Sequence, residues 1–286
     1  MEERVRLLVT NDDGVRAPGI AALAGAAAAT GHDVIVVAPQ VDYSGAGAAV
    51  GPVHSRGGID YTGHVLAGLK DVPAFGIDGP PALAVILACV GGFGPRPDLV
   101  LSGINHGVNV GRSALHSGTI GAALTAAHFG LSALAVSLRY GPDPVPWETP
   151  AALTAALVPV VGAAPASTVL SLNVPDVPLS ELRGVRSGRL GRSGTIRSAV
   201  HEGTSSDLDG GAGAHPHVSL PSLEGGTLRL DLTPPATSAP PDDVSTDAAL
   251  VANGFASITA LTGVHEATDM PAALLADLIA AAALGR

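Results

Sequence analysis

The chain of 286 residues is 47% hydrophobic but only 14% charged, with a formal net charge of −10; ordinary soluble domains carry about 25% charged residues. Its apolar residues never run the roughly 20 positions that a bilayer-spanning helix requires, and the longest such stretch, Ala272 to Leu284, is broken by Asp277. The acidic balance argues against a general nucleic-acid binder, which presents a basic face. Lys70, the single lysine, stands outside any glycine-rich phosphate loop, which excludes P-loop handling of nucleoside triphosphates.

The start, Met1-Glu2-Glu3-Arg4, leads directly into a strand-like run without an apolar signal segment. Cys89 is the only cysteine, so no internal disulfide can form. Both features lead us to expect a cytoplasmic protein that neither enters a membrane nor binds nucleic acid.

Along the chain, strand and helix signals alternate. Val5–Thr10 reads as a buried strand, and Pro18–Thr30 as a helix with proline in its first turn and Gly31 as its stop. Asp33–Ala38 is the next strand, Pro80–Val90 a helix, Pro97–Ser102 a strand, Gly118–Phe129 a helix and Ala133–Leu138 a strand. Pro150–Val161 adds a helix and Thr168–Asn173 a strand. This alternation predicts an α/β fold, a Rossmann-like three-layer core around a mostly parallel sheet.

After about Pro175 the character changes. The segment 176–243 is rich in Gly, Ser and Pro and carries Arg183, Arg186, Arg189, Arg192, Arg197, His201, His215 and His217. It reads as a projecting region of β-hairpins and loops. The α/β pattern returns with Thr246–Ala252, the strand Ala256–Ala260 and a final helix from about Pro271. We therefore expect one α/β domain over 1–286. Its core, with the active site, covers 1–175, and 244–286 supplies a C-terminal strand and helix to oligomer contacts.

The chemistry concentrates at strand ends. Asn11-Asp12-Asp13-Gly14 follows the first strand, where open parallel sheets bind their ligands. Adjacent carboxylates repel unless a positive charge joins them, and a hard divalent cation with oxygen ligands supplies one. The same four residue types also suit a plain turn. The Asp-x-Asp pattern of many phosphatases is absent, since Val15 stands two positions after Asp13.

Two further segments share this placement: Ala38 to Gly47, containing Ser44, and Ser102-Gly103-Ile104-Asn105-His106-Gly107-Val108-Asn109. A third, Ser117-Gly118-Thr119, opens a helix. Ser44 and Asn105 offer neutral oxygens to a metal. Ser117, Gly118 and Thr119 present hydroxyls and unpaired backbone N–H groups, an anion cradle, although Ser117 is equally suited to capping. Together the parts describe metal-assisted phosphoryl hydrolysis. The Gly-x-Ser-x-Gly elbow of serine esterases is absent around both Ser44 and Ser117.

His106 and His116 flank the phosphate segments, and either could protonate a leaving alkoxide near neutral pH. His215-Pro216-His217 has a metal-like spacing but reads as a solvated loop. His128 reads as a surface or satisfied core histidine.

These residues resemble the SurE family (survival protein E), metal-dependent phosphatases acting on nucleoside monophosphates. The resemblance rests on Leu8-Val9-Thr10-Asn11-Asp12-Asp13-Gly14 with Ala17-Pro18-Gly19-Ile20, on Val37-Ala38-Pro39 with Ser44-Gly45, on Ser102 to Gly111 and on Ser117 to Ala123. Late matches are Leu172-Asn173-Val174-Pro175, Thr246-Asp247 and Gly254 to Thr259. It implies that Asp12, Asp13, Ser44 and Asn105 bind one divalent cation per subunit, Mg²⁺ or Mn²⁺. It also implies that Asn11, Asn109, Ser117, Gly118 and Thr119 face the phosphate, with Asp12, Asn11 and His106 the catalytic candidates. A homodimer or homotetramer joined through a C-terminal element and a projecting hairpin is implied as well.

The chain departs from the family pattern in three places. Asp78-Gly79-Pro80-Pro81-Ala82-Leu83 stands where the family usually has Gly-Thr-Pro-Ala-Asp-Cys; His116 replaces an aromatic residue; and Arg189 to Ile196 lacks the expected tyrosine. Three functions stay open on the sequence: hydrolysis of nucleoside 5′-monophosphates, the same chemistry on another small phosphoester such as a specialised-metabolite intermediate, and a non-catalytic nucleotide-binding stress protein. The complete set of Asp12, Asp13, Ser44 and Asn105 speaks against the last.

Overall fold

The computed structural model describes residues 4–53, 57–192 and 244–264 in full and residues 197–202 and 228–233 by their backbone. From the N-terminus, β1 (Arg6–Thr10), α1 (Pro18–Ala29) and β2 (Asp33–Pro39) form the first strand–helix–strand unit. The hairpin β3 (Tyr61–Leu66) and β4 (Leu69–Ile77) follows, then α2 (Pro81–Cys89), β5 (Leu99–His106) and a 3-10 segment, Gly111–His116. Next come α3 (Gly118–His128), β6 (Ser132–Leu138), α4 (Glu148–Gly162) and β7 (Val169–Val174). The remaining elements are β8 (Val185–Ser187), β9 (Arg197–Glu202), β10 (Leu228–Thr233), α5 (Asp247–Ala252) and β11 (Ala256–Leu261).

The main sheet has the order β3-β4-β2-β1-β5-β6-β7-β11-β8. From β4 to β7 every pairing is parallel; β3 and β11 run antiparallel to their neighbours β4 and β7. The chain leaves β1 toward β2 on one side and returns to β5 on the other. The β1/β5 junction is therefore the topological switch point, beyond whose carboxyl end ligands bind in folds of this kind.

Alternation along β1 sorts the core into two layers. Leu7 and Val9 pack with Ile20 and Leu23 of α1 and Val158 of α4, whereas Leu8 packs with Val85 of α2 and Ile120 and Ala123 of α3. Sheet and two helix layers give the expected three-layer Rossmann-like core. Alanines on the inner face of α3 (Ala122, Ala123 and Ala126, all fully buried) let that helix approach closely. Gly121 comes so near the loop after β2 that a Cβ there would lie 2.1 Å from the Gly47 carbonyl. Leu8 and Leu101 are also fully buried, and truncating either to alanine costs about 2–5 kcal/mol.

The predicted strands and helices of the core are present, with shifts of a few residues at their ends. The β3–β4 hairpin was not expected: its outer strand is largely exposed, so the alternation that marks a half-buried strand is missing. Pro73 is accommodated because it precedes the pairing of β4 with β2, which starts at Ala74, and lies beside a register shift in β3. β5 runs past the predicted Ser102 to His106, across a register shift between Ser102 and Asn105. Gly103 adopts φ +136 there, and a Cβ on it would strike the Val136 carbonyl at 2.2 Å.

The region 176–243 divides in two. β9 and β10 pair antiparallel in a separate two-stranded sheet, whereas β8 joins the main sheet beside β11. The final helix predicted from Pro271, like His215 and His217, lies outside the described residues. No helix among the described residues is long and apolar enough to cross a membrane.

Candidate active site

The segment after β1 turns sharply at Gly14 (φ +101), where the Asn11 side chain donates Nδ2–H to the Gly14 carbonyl at 3.0 Å. The turn read from the residue types is thus present, and it places both carboxylates at the switch point. Asn11 is fully buried, and its Oδ1 has no hydrogen-bond partner.

Asp12 is 3% exposed. Its Oδ1 accepts the Thr119 hydroxyl at 2.6 Å, and the backbone N–H of Thr119, in the first turn of α3, also donates to its carboxylate. Gly118 lies against the same side chain: a Cβ there would sit 2.7 Å from the Asp12 Cβ and 2.8 Å from Oδ2. Tyr43 donates its N–H to the Asp12 carbonyl at 2.8 Å, which fixes the Ser44 loop beside the pair. Burial raises the Asp12 pKa above the ordinary carboxylate value, with the Thr119 bonds opposing the rise.

Asp13 is half-buried and its pKa is pushed up to about 7, mainly by burial and then by the neighbouring Asp12 charge; the backbone N–H of His106 donates to it and opposes the rise, while Asp42 adds to it. The ends of β1 and β5 are therefore joined through the second carboxylate. Two acidic groups held this way, without a basic partner among the causes of either shift, are an incomplete charge system. A cation with oxygen ligands would complete it. The described residues hold no cluster of three His, Cys, Asp or Glu side chains, so such a cation would rest on two carboxylates and neutral oxygens.

The other candidates surround this pair. Ser44 is exposed in a tight turn closed by its own N–H to Asp42 Oδ1 at 2.7 Å. Asn105 is half-buried and donates Nδ2–H to the Gly107 carbonyl at 2.6 Å. Ser117 caps α3, accepting the Ile120 N–H at 3.2 Å. Gly47 donates its N–H to the His116 carbonyl at 3.0 Å, so the Ser44 loop and the start of α3 are tied directly. Asp12, Asp13, the Ser44 loop, the end of β5 and the start of α3 are thereby brought together.

Two candidates acquire different immediate partners from those expected. Thr119 gives both its hydroxyl and its N–H to Asp12, so it positions the carboxylate. Asn109 donates Nδ2–H to Ser137 Oγ at 2.9 Å, and its backbone is gripped by Asn173, which accepts the Asn109 N–H at 2.7 Å and donates to its carbonyl at 3.1 Å.

Sequence reasoning missed the surroundings of His106. Its ring packs on Tyr140, with centroids 4.2 Å apart, and edge-on to Trp147 at 5.4 Å, and its Nε2 is buried without a hydrogen-bond partner. Asp42, two residues before Ser44, was missed as well. Neither had a local signal, because both relationships arise only when β1, β2, β5 and β6 lie side by side. His128 is exposed, as one of its two readings held.

The family model described as survival protein SurE matches residues 7–197. The chain is 37% identical over 200 residues to the 5′-nucleotidase SurE of Legionella pneumophila (strain Lens), covering 69% of this chain and 75% of that protein. It is 42% identical over 183 residues to the 5′-nucleotidase SurE of Geobacter metallireducens, covering 63% of this chain and 68% of the relative. The crystal structure of the SurE protein from Aquifex aeolicus superposes with a TM-score of 0.68 at 26% identity, covering 96% of this chain and 98% of that one. By sequence and fold, the chain belongs to the SurE family.

Proposed function

We propose that this chain, a hydrolase of phosphoric monoesters, is a metal-dependent phosphatase that removes phosphate from nucleoside 5′-monophosphates. The observation that carries the reading is the pair of buried Asp12 and half-buried Asp13 at the β1/β5 switch point, with Asp12 held by the first turn of α3. The names of the curated relatives support the nucleotide as substrate.

Asp12, Asp13, Ser44 and Asn105 would hold one Mg²⁺ or Mn²⁺ ion, whose positive charge offsets the two carboxylates. When bound, such an ion polarises a phosphoryl oxygen and makes water a better nucleophile. The protein's own groups do the rest. Asn11, with its unpartnered Oδ1, orients the attacking water or the phosphate. The Ser117-Gly118-Thr119 turn faces the anion, while Thr119 keeps Asp12 in place. His106, whose backbone N–H holds Asp13, is the candidate proton donor to the leaving oxygen. The subunits assemble as a homodimer or homotetramer in this reading.

The test is phosphate release from a panel of nucleoside monophosphates and sugar phosphates, with Mg²⁺ or Mn²⁺ and with a chelator. Metal-dependent release from nucleotides is expected. Asp12→Asn should abolish turnover with the fold intact, since an amide oxygen still accepts the Thr119 bonds. Activity retained in that variant, or release unaffected by the chelator, would overturn the metal assignment.

A further inference from the structure

The chain leaves β2 as Gln40-Val41-Asp42-Tyr43-Ser44, and its aspartate has no part in the function proposed above. The Asp42 side chain folds back on its own backbone: Oδ1 accepts the Ser44 N–H at 2.7 Å, the turn that an aspartate forms with a residue two positions on. That turn presents Ser44. The next peptide is bonded to the backbone of the carboxylate pair, because the Tyr43 N–H donates to the Asp12 carbonyl at 2.8 Å. The Gly47 N–H on the His116 carbonyl, at 3.0 Å, then fixes the loop to the start of α3. Asp42 is thus tied to Ser44 by one of its own oxygens and to Asp12 through one peptide.

Its other oxygen is left over. Among the described residues Oδ2 makes no hydrogen bond or salt bridge, and the residue is exposed. The Asp42 charge nevertheless reaches the pair, raising the pKa of both Asp12 and Asp13. The same strand end holds the fully buried Asn11 Oδ1, an acceptor without a donor. Acceptors and like charges gathered without a basic partner call for a cation. Asp42 does not form with the pair a cluster of three that could itself hold an ion, so it meets a bound cation through its field and not as a ligand. Building on the metal-dependent phosphatase reading, we propose that Asp42 sets the charge of this site: it is a fixed third negative charge that tightens the hold on the divalent cation and loosens the hold on the phosphate dianion. A divalent cation offsets two carboxylates and leaves the third uncompensated. That remaining charge repels inorganic phosphate and so favours departure of the product.

Two variants separate charge from turn. Asp42→Asn removes the charge and keeps an oxygen for the Ser44 N–H; Asp42→Glu keeps the charge and loosens the turn through its longer arm. Mn²⁺ affinity of both and of the wild type is measured by calorimetry without substrate, at low and at high salt. Inhibition by inorganic phosphate is measured on adenosine 5′-monophosphate at saturating Mn²⁺. We expect Asp42→Asn to lose about tenfold in Mn²⁺ affinity at low salt, and less at high salt because an exposed charge is screened. The same variant should bind inorganic phosphate about two- to fivefold more tightly, while Asp42→Glu stays closer to the wild type in both measurements. The reverse order, with Asp42→Glu impaired and Asp42→Asn unchanged, would assign Asp42 to the turn alone and overturn the proposal. A loss of Mn²⁺ affinity that salt does not reduce, or phosphate inhibition that does not strengthen in Asp42→Asn, overturns it too. A wild type that binds no Mn²⁺ removes the cation reading itself, whereas equal Mn²⁺ affinity in the wild type and Asp42→Asn removes only the role of the charge.

Discussion

The carboxylate of Asp247 accepts the backbone N–H of Gly111 at 2.7 Å, joining residues 136 positions apart. Asp247 is 1% exposed and its other oxygen accepts the N–H groups of Gly191, at 3.1 Å, and of Ala248, at 2.8 Å. One carboxylate at the start of α5 thus gathers three strands of chain: the glycine-rich loop after β5, the segment following β8 and its own helix. Asn173, fully buried at the end of β7, grips the same loop at Asn109. Residues late in the sequence therefore set the position of the glycine-rich loop after β5.

Asp247→Asn keeps the shape but turns one acceptor oxygen into a donor that faces an N–H group. Leaving a buried donor unpaired costs about 1–3 kcal/mol. We expect the urea midpoint of the variant to fall accordingly, with a rise in KM as the Asn109 loop loosens. An unchanged midpoint would show that the carboxylate is not needed to hold the three segments.

Thr119→Val removes the hydroxyl that holds Asp12 Oδ1 at 2.6 Å while nearly preserving volume. Partners of this kind, which orient a metal-binding group, are typically worth about 10–100-fold in metal affinity. Titration of the variant with Mn²⁺ should show a loss in that range, and Thr119→Ser should restore most of it. Equal affinity in Thr119→Val and the wild type would mean that the hydroxyl does not orient the carboxylate.

Much of this arrangement is legible in the sequence, and the part that is not has a physical reason. Strands such as Pro97–Ser102 and helices such as Gly118–Phe129 advertise themselves because apolar residues at regular spacing end at Gly, Pro and Ser. The Asn11-Asp12-Asp13 and Ser117-Gly118-Thr119 segments are visible because strand ends and helix starts in an α/β alternation share one edge of the sheet. The local pattern says where Thr119 stands but not what its hydroxyl meets; that depends on how closely α3 packs over β1, which Gly118 permits by lacking a side chain. In the same way, the local pattern sets Asp247 in the first turn of a short helix and Tyr140 after a strand, without saying what either side chain meets. Edge strands such as Tyr61–Leu66 and Val185–Ser187 are defined by backbone pairing with a neighbour and bury too little surface to leave a period in the sequence.

Gly118→Ala is a direct probe of that close approach. A methyl group there would lie 2.7 Å from the Asp12 Cβ and 2.8 Å from Oδ2, inside the distance that carbon atoms tolerate, so α3 or Asp12 must move. Overpacking of this kind typically costs about 1–3 kcal/mol. We expect a lower urea midpoint together with a marked loss of phosphatase activity, while Gly130→Ala, at a position where a Cβ meets nothing within 4 Å but φ is +80, should lower stability without reducing kcat. Equal activity of Gly118→Ala and the wild type would show that the contact between α3 and Asp12 is not required for turnover.

The pH dependence of stability follows from Asp13 and, in the same direction, from Asp12, whose pKa burial also raises. In the unfolded chain the Asp13 pKa is near the ordinary 3.8, and in the metal-free fold it is pushed up to about 7. Below both values the carboxyl is protonated in either state and contributes no difference. Between them the unfolded chain has released its proton while the folded chain keeps it, so the unfolded state gains and stability falls as pH rises. Above about 7 both states are ionised and the fall levels off. Denaturation midpoints in the presence of a chelator should therefore decline from about pH 4 to about pH 7. Asp13→Asn should lessen that decline, Asp12 supplying the remainder because burial raises its pKa as well, and Mn²⁺ should reduce it by binding the ionised carboxylate of the folded state alone. A decline that persists undiminished in Asp13→Asn would assign it to another group, and one unaffected by Mn²⁺ would place the cation away from Asp13.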